Sequence, residues 1–178
     1  PPGRHMRKYT HKGDAHCGSS SILMATGSSE ASFACFGKGV FLANGSQILD
    51  SVAEIGGGAA ATLCDLTFQG TLLKNNHATG VNGIGGQGGG VHLGTNAVFQ
   101  SSGGVVFEGN TAQDSGGALS CDGCKKVDLA ADQQGSGGDA SNRFLKNSAD
   151  RGSGGALRVD APTSDIFSTG SYFDGNFA

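Results

Sequence analysis

The stretch GVHLGTNAVFQSSGGVVFEGNTAQDSGG, residues 90–117, decides the fold. It holds three short runs of β-forming residues, at 91–93, 97–100 and 105–108, divided by turn-forming residues at 94–96 and 101–104. Strands this short cannot make an independent sheet. They need partners from neighbouring units. Stacking at a spacing of ~4.8 Å lets each strand pair in parallel with its counterpart in the next unit, which is the logic of a β-solenoid. No segment shows capped helical periodicity over about ten residues, so βαβ units are excluded.

Outward from this stretch the pattern recurs. A tetrapeptide with an apolar first residue and Asn last occurs at residues 41–44, 72–75, 107–110, 144–147 and 173–176, and it begins with Phe41, Leu72, Phe107, Phe144 and Phe173. A second element, two glycines and then a small or branched apolar residue, occurs at Gly57-Gly58-Ala59, Gly89-Gly90-Val91, Gly116-Gly117-Ala118 and Gly154-Gly155-Ala156. The two alternate along the chain. In a solenoid the Gly pairs (Gly57, Gly58, Gly89, Gly90, Gly116, Gly117, Gly154 and Gly155) form tight corners, where other residues reach the required backbone angles at a cost of ~1 kcal/mol or more. Phe41, Phe107, Phe144 and Phe173 stack through the interior. Asn44, Asn75, Asn110, Asn147 and Asn176 form a ladder in which side-chain amides satisfy turn backbone and one another.

Composition agrees with such a core of small parts. Of 178 residues 33 are Gly, only three are Pro, none is Trp, and hydrophobic residues still reach 37%. That excludes collagen-like and proline-rich disordered chains. The formal charge of −3 is uneven: Arg4, Arg7, Lys8 and Lys12 against Asp14 give residues 1–16 a local +3, with His5, His11 and His16 beside them. The acidic remainder and the lack of a stacked aromatic platform argue against nucleic acid as a partner. No apolar run approaches the ~20 residues of a membrane span, which leaves peripheral association with a membrane assembly open.

The five cysteines are Cys17, Cys35, Cys64, Cys121 and Cys124. Cys121 and Cys124 form a C-D-G-C pair, for which a local turn disulfide or two unpaired thiols is the favoured reading, with a half-zinc site or a redox pair as alternatives. No further close Cys pair completes a zinc site, and no metal or other cofactor is expected.

The alternating motifs resemble the polymorphic outer membrane protein repeats of chlamydial autotransporter surface proteins, which are defined by G-G-A-[ILV] and F-x-x-N. Residues 116–119 and 154–157, with the tetrapeptides at Phe107, Phe144 and Phe173, match fully. Leu72 stands for Phe, Gly57-Gly58-Ala59 lacks the branched residue, and Val91 replaces Ala after Gly89-Gly90. The resemblance spans roughly residues 40–178. It implies a right-handed parallel β-helix used as a surface-exposed passenger for adhesion.

Since such helices also carry polysaccharide lyases and hydrolases, a catalytic set must be sought. Asp114 and Asp150 lie four and three residues after Asn110 and Asn147, as a stacked carboxylate pair would, and Arg151 adjoins the second. Solvated corner residues are the simpler reading. His77 and His92 each stand alone with no Ser or Cys elbow nearby, so no catalytic set assembles. Residues 132–142 form an insertion that projects from a corner.

The expectation is therefore an all-β, single-stranded parallel β-helix of four to five coils over residues 40–178, with residues 1–39 as an irregular basic arm. With the sequence stopping directly after the Asn176 tetrapeptide, the repeat domain is expected to be either truncated or capped by a partner there, and protein partners are expected at the arm and at that coil. A glycan is the other candidate ligand. The expected function is a non-catalytic interaction module, with a carbohydrate-active or glycan-binding β-helix as the alternative. A cell-surface or organelle-lumen location is favoured over the cytosol.

Overall fold

The computed structural model describes residues 9–11, 15–17, 22–23, 33–36, 40–42, 45–82, 85–131, 141–160 and 164–178; before residue 45, side chains are described only at Ala34 and Cys35. Among the described residues there is no helix. All strands join four parallel sheets, and within each the spatial order is the chain order.

Sheet I holds Tyr9–His11, Phe33–Phe36, Ala59–Thr62, Val91–Leu93, Leu119–Asp122 and Leu157–Asp160. Sheet II holds Ala15–Cys17, Val40–Leu42, Asp65–Gln69, Val98–Ser102, Lys126–Ala130 and Asp165–Thr169. Sheet III holds Ile22–Leu23, Gln47–Leu49, Leu72–Lys74, Val106–Glu108, Arg143–Leu145 and Tyr172–Asp174. Sheet IV, with strands of two residues, holds Val52–Ala53, His77–Ala78, Thr111–Ala112 and Ser148–Ala149. The chain visits sheets I to IV in turn and then returns to sheet I one layer on. This is the parallel β-helix expected from residues 90–117, and four to five of its coils lie within residues 40–178.

Before residue 40 the architecture differs from the expected irregular arm. Tyr9–His11 pairs with Phe33–Phe36, Ala15–Cys17 with Val40–Leu42, and Ile22–Leu23 with the strand holding Ile48. The sheet columns thus run back into residues 9–36, because a parallel edge accepts any extended segment that supplies backbone in register.

Alternate strand residues point inward and fill the helix. Leu66, Phe68, Phe99, Phe107, Leu119, Leu129 and Phe144 are wholly buried. Two disulfides tie the walls: Cys35–Cys64 joins successive layers at the sheet I to sheet II turn (Cα–Cα 6.0 Å), and Cys121–Cys124 closes the same turn two layers on (Cα–Cα 5.3 Å).

The corner before sheet I shows why glycine recurs. Ala59, Val91, Leu119 and Leu157 align, so the aligned glycine pairs are Gly56-Gly57, Gly88-Gly89, Gly116-Gly117 and Gly154-Gly155. For the first two coils this is one residue earlier than the pairs read from the sequence, and Gly58 and Gly90 hold the places of Ala118 and Ala156. The first member of each pair has positive φ, as at Gly116 (67°) and Gly154 (72°), where a side chain is disfavoured. The second allows close approach: a Cβ on Gly117 would overlap the carbonyl oxygens of Gly155 in the next layer and of Ser148 on sheet IV. Gly117→Ala therefore forces two layers apart and should cost at least ~2 kcal/mol of unfolding free energy, measurable as a lowered urea midpoint with an unchanged slope.

Candidate functional site

The most highly organised polar feature lies at the corner between sheets III and IV. Asn76, Asn110 and Asn147 are wholly buried, yet their amides are fully engaged. Asn110 Oδ1 accepts from the backbone N–H of Asn76 (3.1 Å) and from its Nδ2 (2.9 Å). Asn110 Nδ2 donates back to Leu73 O (3.0 Å) and onward to Asn147 Oδ1 (2.9 Å). Asn147 repeats the arrangement, receiving from Asn110 N and Nδ2 and donating to Phe107 O and Asn176 Oδ1. Two donors and two acceptor lone pairs exhaust what a carboxamide offers, so each inner rung is saturated. At one end Ser51 N donates to Asn76 Oδ1 (3.2 Å), and Ser51 holds the amide's place.

The ladder therefore runs through Asn76, Asn110, Asn147 and Asn176. Asn75 lies outside it, with positive φ and its Nδ2 directed at Asp50 Oδ1. The pairing explains the shift: Leu73, not Leu72, stands opposite Ile48 and Phe107. Phe41 is on a different wall, opposite Thr67 in sheet II; Ile48 occupies the position assigned to it. Asn44 lies outside the described residues. Phe107, Phe144 and Phe173 are brought together, with ring centroids 4.8 and 4.6 Å apart and interplanar angles of 5° and 7°.

Residues 104–122, which hold one Phe107 to Asn110 tetrapeptide and one Gly116 to Leu119 corner, match the family model of the Chlamydia polymorphic membrane protein (Chlamydia_PMP) repeat. The match covers one repeat, 19 of the 178 residues. That repeat family is not a known enzyme family. Comparison with curated proteins and with solved structures gives no match. No helix of the described residues is long and apolar enough to cross a membrane.

The outer faces carry separate ion pairs, Lys74–Glu108 (3.0 Å), Lys126–Asp128 (2.8 Å) and Arg158–Asp160 (2.8 Å). Exposed pairs of this kind contribute little. Asp114 and Asp150 do not stack. Asp150 N donates to Ala112 O and Gly152 N to Asp114 O, which sets Asp150 beside Gln113 and offsets the two carboxylates by a position. Among the described residues no three His, Cys, Asp or Glu side chains group as a metal site requires.

His92 is less alone than its sequence neighbours imply, since sheet I sets Ser120 directly beside it. His77 Nδ1 meets Thr111 Oγ1. Ser120 is wholly buried, however, and neither Ser120 Oγ nor His92 Nδ1 has a hydrogen-bond partner. A Ser–His nucleophile needs that contact and access to substrate, so the pair is not assembled as one. Burial pushes the His92 imidazole below its ordinary 6.5, and the Asp122 carboxylate opposes the shift. A further buried amide, Asn142, accepts from Val105 N and donates to Ala130 O, which clamps the insertion; residues 132–140 lie outside the described residues.

Two outcomes follow. Asn110→Ala strands two donors on Asn76, the Leu73 carbonyl and the Asn147 amide oxygen, and should lower unfolding free energy by about 3 kcal/mol or more in urea titration. Asn75→Gly, which keeps the left-handed turn, should change it by less than about 1 kcal/mol. For His92, the unfolded chain binds more protons between the folded value and 6.5, so its contribution is neutral at higher pH and destabilising as pH falls through 6.5. His92→Gln should lessen the acid loss of stability, measured as the difference in urea midpoint between wild type and variant across pH 7 to 5.

Proposed function

We propose that the chain is a non-catalytic interaction module, a β-helix scaffold for protein–protein contact that serves as a surface-displayed passenger or as an accessory subunit of a larger assembly. The polymorphic membrane protein repeat points to a domain of a membrane or surface protein; contact-making is the finer reading. The observation that carries it is the stack of coils, whose aligned sheets repeat the same outward positions layer after layer. Large apolar side chains are exposed on several coils, among them Ile55, Leu63 and Val81 as well as Val159, Ile166, Phe167, Tyr172, Phe173 and Phe177.

Lys126 lies 5.3 Å from the Phe167 ring centre and Arg143 5.9 Å from that of Tyr172, so cations already flank the exposed rings. A photo-crosslinking residue at position 172 should join the native protein to one stoichiometric partner, while the same residue at Val106, in the same column two layers inward, should not. Polysaccharide turnover that disappeared in Asp114→Ala or Asp150→Ala would overturn the reading in favour of a carbohydrate-active helix, and a glycan array tests sugar binding without turnover.

A further inference from the structure

The inner coils are pinned by the amide ladder and by the glycine corner, and neither device continues into the layer of Phe33–Phe36 and the one before it. Leu23 stands opposite Ile48, but three places on, where Asn76, Asn110 and Asn147 follow Leu73, Phe107 and Phe144, the sequence has Thr26. Phe33 stands opposite Ala59, and in the places of Gly56-Gly57 it has Glu30-Ala31. Among the described residues sheet IV begins at Val52–Ala53.

Side-chain packing does not select a register at this step either. Phe33–Phe36 lies on Ala59–Thr62, whose first three residues are all alanine. Displacing the strand by two residues keeps each side chain on its own face and exchanges one buried alanine, Ala59, for another, Ala61. The covalent bond does select. Cys35 stands opposite Ala61 and is joined to Cys64 of that same layer, with Cα atoms 6.0 Å apart. A two-residue slip in one direction carries Cys35 back to Ala59 and adds about 6.6 Å along the strand, out of the ~7 Å reach of a disulfide. A slip in the other carries it past the strand's end to Leu63, where φ is +55° and pairing stops.

We infer that Cys35–Cys64 is a redox-sensitive register lock: its reduction releases residues 33–42, with the strands paired to them, while the ladder-held coils stay folded. The exchange is balanced. A dithiol reductant gives up two electrons and two protons, the S–S bond opens to two thiols, and the dithiol closes to its own disulfide. Both cysteines are 2% exposed, so reductant reaches the bond as the segment lifts from its edge. Release stops before Gln47–Leu49, because Ile48 is wholly buried and Ser51 N is bonded to Asn76 Oδ1. It uncovers the parallel edges of Ala59–Thr62 and Asp65–Gln69, which are surfaces that accept an added strand. Cys121–Cys124 does not act this way, since it joins residues three apart within one layer, where ladder and glycine corner are both present.

The test follows amide hydrogen exchange in the full chain when oxidised, after dithiothreitol, and as the Cys35→Ser/Cys64→Ser variant, with thiol titration to count the bonds opened. Exchange at residues 33–36 and 40–42 should quicken at least about tenfold in the reduced chain and in the variant, while Leu73, Phe107 and Phe144 stay within about twofold of the oxidised chain. Cys121→Ser/Cys124→Ser should leave residues 33–42 as protected as before. Unchanged exchange at 33–42 in the Cys35→Ser/Cys64→Ser variant overturns the inference. Equal acceleration through every layer does so too, because the bond would then be a staple of the whole stack. A Cys35–Cys64 bond that resists dithiothreitol in the folded chain also overturns it.

Discussion

A side-chain amide placed in a dry interior is a liability unless all four of its hydrogen-bonding positions are met. Here, at Asn110, two of them are met by identical amides, Asn76 in one neighbouring layer and Asn147 in the other. This mutual dependence disciplines the whole fold. A slip of one residue between layers would turn each Asn outward and leave main-chain groups at the sheet III to IV corner unmatched, so the ladder holds the register that four sets of short strands hold only weakly. The apolar column beside it is more tolerant: Ile48, Leu73, Phe107 and Phe144 all fill it, because dispersion and burial ask for volume rather than direction.

The glycine corner supplies the complementary constraint. Where sheet IV backs onto the return to sheet I, main chain touches main chain: the second glycine of each pair presses on backbone of the next layer, Gly57 against His77, Gly89 against Thr111, Gly117 against Ser148 and Gly155 against Phe177. Amide on one side and absent Cβ on the other define each coil, which is why a coil is legible as two small motifs and little else.

How far the fold could be read follows from how unambiguous each motif is. Phe107, Phe144 and Phe173 each open a tetrapeptide with a single frame, and their alignment was legible. The Leu72-Leu73 and Asn75-Asn76 doublets, and the glycine triplets at 56–58 and 88–90, admit two frames that differ by one residue; composition cannot choose between them, whereas strand pairing and buried amide bonds do. Ile48 to Ser51 lacks the terminal Asn altogether, so the nearby Phe41 tetrapeptide took its place. Juxtapositions across layers, Cys35 with Cys64 and His92 with Ser120, depend on the register itself and leave no local trace. The one-way polarity of the amide ladder is a property of hydrogen-bond direction and appears only in three dimensions.

Successive ladder contacts join residues 25, 34, 37 and 29 positions apart, yet every Asn–Asn contact has the same length of 2.9 Å. Additional residues between rungs leave the rise of the helix untouched. Along its axis the molecule behaves as a ruler graduated in carboxamides, while its girth is free to vary, so lineages could embroider the rim without altering the pitch.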